Sequence, residues 1–238
     1  MSYLSWISDD KLTDAISNLF NSIEKGFEKA DENFDRNVVD PFNTILTLAF
    51  FDFTLEDWKK YELFRQKQKS LTNAIGQFHQ EILGNTYGWE NLGTTSIVDI
   101  VNHERKIVAE VKNKHNTVKK SNLIDVYKEL DDAIHHKNTK FFGYTAYYVP
   151  VIPEKPSGVK RLFSPSDSKS QRKAQPLNDI IEMDGNRFYE LATGSKTALK
   201  DLYEAMITIL SKTHHHFLLE SNDKLFAMTV FKNAFGNI

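Results

Sequence analysis

Ile97-Val98-Asp99-Ile100-Val101 and Ile107-Val108-Ala109-Glu110-Val111-Lys112 are two short, largely β-branched runs. Asn102 and the polar stretch His103-Glu104-Arg105-Lys106 lie between them. Such runs read as strands, and four polar residues between them read as a hairpin loop. That loop makes Asn102 face Ile107, and the same register carries Asp99 to a place opposite Glu110. Directly opposed side chains have Cβ atoms about 4.5–5.5 Å apart. Strand alternation then puts Lys112 on the face of Glu110, while Val111 points to the other face. Two carboxylates and an ammonium converge on one spot.

Stability alone gives no reason to build that spot. Opposed like charges repel, and the Ile, Val and Ala around them imply partial burial, which raises the cost. A divalent cation resolves the conflict. Carboxylate oxygens suit a hard ion such as Mg²⁺, and the Val111 backbone carbonyl offers a further oxygen. Lys112 would orient or deprotonate a water, or neutralise developing negative charge. This is equipment for metal-assisted phosphodiester hydrolysis. Read purely as architecture, the same residues make an edge hairpin with a Glu–Lys pair facing solvent. Apolar residues on both faces of both strands favour a sheet covered by helices on both sides.

Outward from the hairpin, the two flanks differ. Residues 1–86 read as helical. Leu12, Ile16, Leu19, Phe20, Ile23 and Phe27 form a stripe at three- and four-residue spacing. Asp40 before Pro41 is a candidate N-cap, Thr54 with Asp57 opens another helix, and Gly84-Asn85 ends it. Residues 87–238 alternate strands and helices. A helix spans Leu123 to Ile134, a strand Phe141 to Ile152 and a short strand Ile180 to Met183. Helices follow at Arg187 to Thr193, Lys196 to Leu219 and Lys224 to Phe235. Residues 153–176, rich in Pro, Ser, Lys and Arg, read as one long basic loop, a length that is usually functional or disordered. The class is α/β with a mixed sheet and a helical N-terminal region. No Gly-rich phosphate fingerprint is present.

The 238 residues contain no cysteine, which excludes a disulfide scaffold, a Cys-ligated metal site and thiol catalysis. No apolar run is long enough to span a membrane, and the N-terminus has no secretion-signal pattern, so a cytoplasmic protein is expected. Net charge is −2 overall but unevenly spread. Residues 99–173 carry fifteen Lys and Arg against nine Asp and Glu, and both flanks are acidic. A basic middle third is a polyanion footprint.

Here the residues carry a resemblance. Asp99, ten intervening residues and Glu110-Val111-Lys112 look like the PD-(D/E)XK nuclease motif, with Val98 where the family has Pro. The string Ala109-Glu110-Val111-Lys112-Asn113-Lys114-His115-Asn116-Thr117 resembles small type II restriction endonucleases that read GGNCC-type sites. Met183 to Gly194 is similar to a segment near the C-terminus of several restriction enzymes. The resemblance spans about residues 80–238. It implies a restriction-endonuclease-like core, catalytic Asp99, Glu110 and Lys112, and Mg²⁺ (replaceable by Mn²⁺) on Asp99, Glu110 and the Val111 carbonyl. It also implies a further acid from the preceding helix, a place that Glu81 matches. The substrate would be double-stranded DNA at a short palindromic site, cut by a homodimer. A cognate DNA methyltransferase would act separately. The helical region 1–86 would mediate dimerisation or flank the DNA.

Asn113, Lys114, His115, Asn116 and Thr117 leave the catalytic strand directly and are placed to touch the phosphates flanking the scissile bond. Lys119 and Lys120 add backbone contacts. Arg161, Arg172 and Lys173 in the basic stretch are candidate guanine readers. Three consecutive histidines, His214 to His216, cannot share one helix face and are not read as a zinc site. His135-His136 reads as a helix end, and Tyr144, Tyr147 and Tyr148 as packing residues. Two alternatives stand beside the restriction reading: a structure-selective repair or recombination nuclease with the same core, and a non-catalytic DNA-binding protein.

Overall fold

The protein is described by a computed structural model covering residues 2–93, 96–156, 158–167, 171–213 and 221–236. Its strands are β1 (Glu90–Asn91), β2 (Ile100–Asn102), β3 (Ile107–Lys114), β4 (Thr145–Ile152), β5 (Lys160–Leu162), β6 (Ser166–Asp167), β7 (Arg172–Lys173) and β8 (Ile180–Met183). Six of them form one mixed sheet in the order β1-β2-β3-β4-β8-β5, and β6 and β7 pair separately. The β2–β3 hairpin is antiparallel and pairs Asn102 with Ile107, Val101 with Val108 and Ile100 with Ala109, the expected register. β3, β4 and β8 run parallel. The crossover from β3 to β4 is the helix α4 defined below.

The helices are α1 (Asp9–Glu32), α2 (Pro41–Phe51), α3 (Leu55–Gly84), α4 (Leu123–His135), α5 (Gly185–Thr193), α6 (Ala198–Thr213) and α7 (Ser221–Phe235). Asp40 caps α2 as expected, accepting from the backbone N–H of Phe42 and Asn43. Thr54 and Asp57 bond reciprocally at the start of α3. α4 buries Ile124, Tyr127, Leu130 and Ile134 against one face of the sheet, where Val108, Ala146 and Tyr148 meet them. α5 takes the other face, its Phe188 ring against Tyr147. A Cβ at Gly185 would stand 2.5 Å from the Val151 carbonyl oxygen, so only glycine allows the helix to seat so closely on β4. The sheet is thus covered on both sides.

Three expectations change. The strand expected from Phe141 begins only at Thr145, because Gly143 turns the chain with a positive φ and its N–H bonds to Ile134 O. The stretch 153–176 is not one loop. β5 joins the sheet edge beside β8, and β6 and β7 make a small ribbon. Phe163, only 2% exposed, anchors the stretch in the core, a signal masked by the Pro, Ser and Lys around it. The helix starting near Lys196 runs from Ala198 to Thr213. The rest of its expected length and His214 to His216 lie outside the described residues.

The chain packs as two compact units. Residues up to Ala15 join those from His79 onward, and Ile16–Phe78 form the second unit. The sheet, α4 and α5 belong to the first.

Candidate active site

Asp99 sits just before β2, where the ladder slips. Its N–H donates to Ala109 O at 3.0 Å, although Ala109 already faces Ile100. Two residues of one strand therefore address a single residue of the other, the pattern of a β-bulge. The slip turns the Asp99 carboxylate along the hairpin, where Oδ2 accepts the Val111 N–H at 2.7 Å. The expected strand from Ile97 is shortened for this reason. Residues before Ile100 are held through Asp99 rather than by a regular ladder.

On β3, Glu110 and Lys112 share one face, as alternation requires, while Val111 is buried on the other. The Lys112 ammonium pairs with Glu110 Oε1 and lies 3.9 Å from Asp99 Oδ2. All three side chains are mostly buried. Burial raises the Asp99 pKa against the pull of Lys112 and the Val111 N–H. Burial, with the charge of Asp99 added, pushes Glu110 up to about 7. Burial alone would lower the Lys112 value, but Glu110, Asp99 and Glu129 of α4 outweigh it and hold the ammonium above its ordinary value. The two acids therefore retain a proton near neutral pH that isolated carboxylates would have released.

Gln80, from the last turns of α3, completes the arrangement. Its Nε2 donates to Val111 O at 3.1 Å, and its side chain also hydrogen-bonds to Asp99. Sequence reasoning sought an acid here and singled out Glu81, which is half-buried one position along. Among the described residues no third His, Asp or Glu joins Asp99 and Glu110 in a metal-holding group. The phase of the helix carried the missed signal. Leu83 and Gly84 are fully packed, and Gln80 shares their face at i+3 and i+4. Tyr148, read as packing, is buried and stacked on Phe163 at 4.6 Å. It is also the neighbour of Glu110 across β4, and burial and the charges of Glu182 and Glu110 keep its phenol protonated.

The donor set fits a hard divalent cation. It offers two carboxylates whose repulsion is relieved only by a proton or a positive charge, beside the Val111 carbonyl oxygen.

The candidate DNA-contacting residues are distributed as follows. Lys114 ends β3 exposed, and its N–H donates to Thr117 Oγ1. Asn113 is buried. His115 is half-buried, with its backbone N–H on Ile152 O. Asn116 and Thr117 form the exposed turn, and Lys119 and Lys120 are exposed at the approach to α4. Arg161 makes a two-pronged ion pair with Glu182, at 2.8 and 2.9 Å, from an exposed position on β5. Arg172 and Lys173 are exposed on β7. The structure thus brings Asp99, Glu110, Val111 and Lys112 together and holds the basic residues in the same unit as that site.

The sequence profile of the Eco47II restriction endonuclease family matches residues 4–214. The chain belongs to that family. It is 41% identical over 206 residues to the type II restriction enzyme Eco47II of Escherichia coli, covering 87% of this chain and 86% of that one. To the type II restriction enzyme Sau96I of Staphylococcus aureus it is 30% identical over 204 residues, covering 84% and 77%. No solved structure matches it. Family membership makes the chain a type II restriction endonuclease, a site-specific hydrolase of double-stranded DNA, and enzymes of this class generally use a divalent metal. No helix among the described residues is long and apolar enough to cross a membrane.

Proposed function

We propose that Asp99, Glu110 and Lys112 are the catalytic set of this endonuclease and that Asp99, Glu110 and the Val111 carbonyl hold Mg²⁺, with Mn²⁺ able to replace it. The observation that carries this is the pair of buried carboxylates, both raised in pKa, meeting a charged lysine within one hairpin. When bound, the ion would polarise the scissile phosphate and lower the pKa of a water beside it. Lys112, held fully protonated, donates. It orients the attacking water and offsets the charge that grows on the phosphoryl oxygens. Gln80 fixes the Val111 peptide between the two acids. Glu81, on the same helix, is proposed as a further acidic ligand.

Asn113 to Thr117, Lys119 and Lys120 are proposed to hold the DNA backbone, and Arg161, Arg172 and Lys173 to read bases of a GGNCC-like palindrome. Such a two-fold site is met by a homodimer, with the helical region 1–86 dimerising or flanking the DNA. The enzyme would work in the cytoplasm beside a separate cognate DNA methyltransferase that protects the same sites. Digestion of a sequenced DNA with Mg²⁺, followed by mapping of the ends, tests the reading. Discrete fragments ending at one recurrent GGNCC-like sequence are expected, and none without a divalent ion. Full cleavage by Asp99→Ala, Glu110→Ala or Lys112→Ala would remove that residue from the set.

A further inference from the structure

Four polar side chains cross the sheet in a single row. Glu110 of β3 faces Tyr148 of β4, Tyr148 faces Glu182 of β8, and Glu182 faces Arg161 of β5. Directly paired residues of neighbouring strands lie on the same side of a sheet. At about 4.8 Å per strand the row is roughly 14 Å long. Its two ends differ. Glu110 belongs to the buried catalytic hairpin. The Arg161 side chain, 68% exposed, stands at the sheet edge and grips Glu182 with two hydrogen bonds, although the Glu182 side chain is only 16% exposed.

Tyr148 lies between the two acids. It is 2% exposed, and its ring is stacked on Phe163, so the side chain cannot turn out to solvent. Its hydroxyl is buried and has no hydrogen-bond partner among the described residues. A buried hydroxyl left unbonded is costly, and phenylalanine would fill the same space without that cost. The charges of both Glu182 and Glu110 bear on the phenol. Tyr148 has one O–H to donate, and two carboxylates flank it, so it serves only one of them at a time. Arg161 decides which. While the guanidinium stays on Glu182, that acid is satisfied and the phenol is available to Glu110. Once the guanidinium leaves, Glu182 is a mostly buried carboxylate without a counter-charge, and such a group is strongly disfavoured. Glu110 still has Lys112, so the demand of Glu182 is the greater.

We propose that Tyr148 and Glu182 are positioning residues through which Arg161 controls Glu110. With Arg161 on Glu182, the phenol O–H is given to Glu110 and occupies an oxygen that a cation needs. With Arg161 drawn away, the O–H turns about its C–O bond to Glu182, the glutamate moves to meet it, and the Glu110 oxygen is free. The proposal rests on the reading of Glu110 as a cation ligand and of Arg161 as a base reader. On a cognate site a guanine takes the guanidinium, and Glu110 is released to the cation. On other DNA Arg161 stays with Glu182, and Tyr148 continues to restrain Glu110. A wrong base is then rejected in the filling of the active site as well as in binding.

The test counts bound Mn²⁺ in the absence of DNA, from the electron paramagnetic resonance signal of the free ion. Arg161→Ala and Tyr148→Phe should each tighten Mn²⁺ binding about fivefold, and the double variant should bind no more tightly than Tyr148→Phe alone, a non-additivity of the size expected for side chains in one network. Loss of a distant positive charge also favours the cation, but by the same factor whether residue 148 is Tyr or Phe. Glu182→Gln gives a second background, because a neutral amide makes no such demand on the phenol. There too Arg161→Ala should lose its effect. In single-turnover cleavage Tyr148→Phe should keep the cognate rate and cut sites with one wrong base about fivefold faster than wild type does, the same loss of restraint read as a rate. Additive effects of Arg161→Ala in both backgrounds, or unchanged discrimination by Tyr148→Phe, would overturn the proposal. If Glu110→Gln binds Mn²⁺ as tightly as wild type, the cation reading falls and this proposal with it. If Glu110→Gln loses Mn²⁺ and the effects are additive, this proposal alone falls.

Discussion

Replacing Glu110 by glutamine should abolish cleavage and make the metal-free protein more stable at alkaline pH. Glutamine keeps the size of the side chain and removes the charge that burial and Asp99 oppose. The folded pKa of Glu110 stands at about 7 against an ordinary 4.5. Because it is raised, the folded state holds a proton that the unfolded chain has released. Stability from this group is complete below pH 4.5, declines as pH rises and is gone above about pH 7. At about 1.4 kcal/mol per decade, the loss reaches roughly 3 kcal/mol. Glu110→Gln does not suffer that loss. For a chain of this size its melting temperature in EDTA should exceed the wild-type value by roughly 6–12 °C at pH 8. The gap should close towards pH 4.5. Adding Mg²⁺ or Ca²⁺ should raise the wild-type melting temperature and leave the variant unmoved. Thermal unfolding at four pH values, with and without the cation, checks all of this. A variant less stable than wild type at pH 8, or a gap that does not change with pH, would refute both the buried-pair argument and the cation site built on it.

Lys112→Ala should lower cleavage by roughly 10²–10⁴-fold with cognate DNA binding in Ca²⁺ largely kept, read by single-turnover assay and filter binding. Gln80→Ala should weaken the cation by roughly 10–100-fold, as loss of a group that orients a ligand does, seen as a shifted Mg²⁺ titration of cleavage with DNA affinity unchanged. Neutralising Lys119 or Lys120 should reduce the log–log salt dependence of DNA binding by about one. Alanine at Arg161, Arg172 or Lys173 should cost about 1–3 kcal/mol on the cognate site and less elsewhere if that residue reads guanine. For Arg161 this requires the guanidinium to leave Glu182, and equal losses on all DNA would make it a rim charge.

The hairpin was legible because alternation and loop length fix register without any tertiary information, and Asn102 does face Ile107. The bulge at Asp99 was not, since a one-residue slip arises from where the carboxylate finds a donor, here the Val111 N–H. Helix α4 could be read from the phase of Ile124, Tyr127, Leu130 and Ile134, all of which are buried. Strand β5 was hidden. Three residues are too few to show a period, and its place depends on Glu182 of β8 and on Phe163 finding the core. Gln80 escaped because the reading looked for a carboxylate, whereas the helix delivers an amide that bonds a peptide carbonyl.

Trp6 meets Tyr189 edge to face at 6.2 Å, and Leu4, Ile7 and Leu12 are buried nearby in sequence, in the same unit as the Asp99–Lys112 hairpin. Trp6 therefore completes its packing only once α5, far along the sequence, is in place. At roughly 5–20 residues per second, Trp6 waits roughly 10–40 s for Tyr189 to be made. Throughout that interval a growing chain can hold the whole Asp99–Lys112 hairpin and still lack α5, the wall behind β4. Contacts this distant in sequence make folding slow, and they also bind the timing of nuclease activity to the synthesis of α5. A chain not yet grown to α5 carries Asp99, Glu110 and Lys112 without the helix that backs β4.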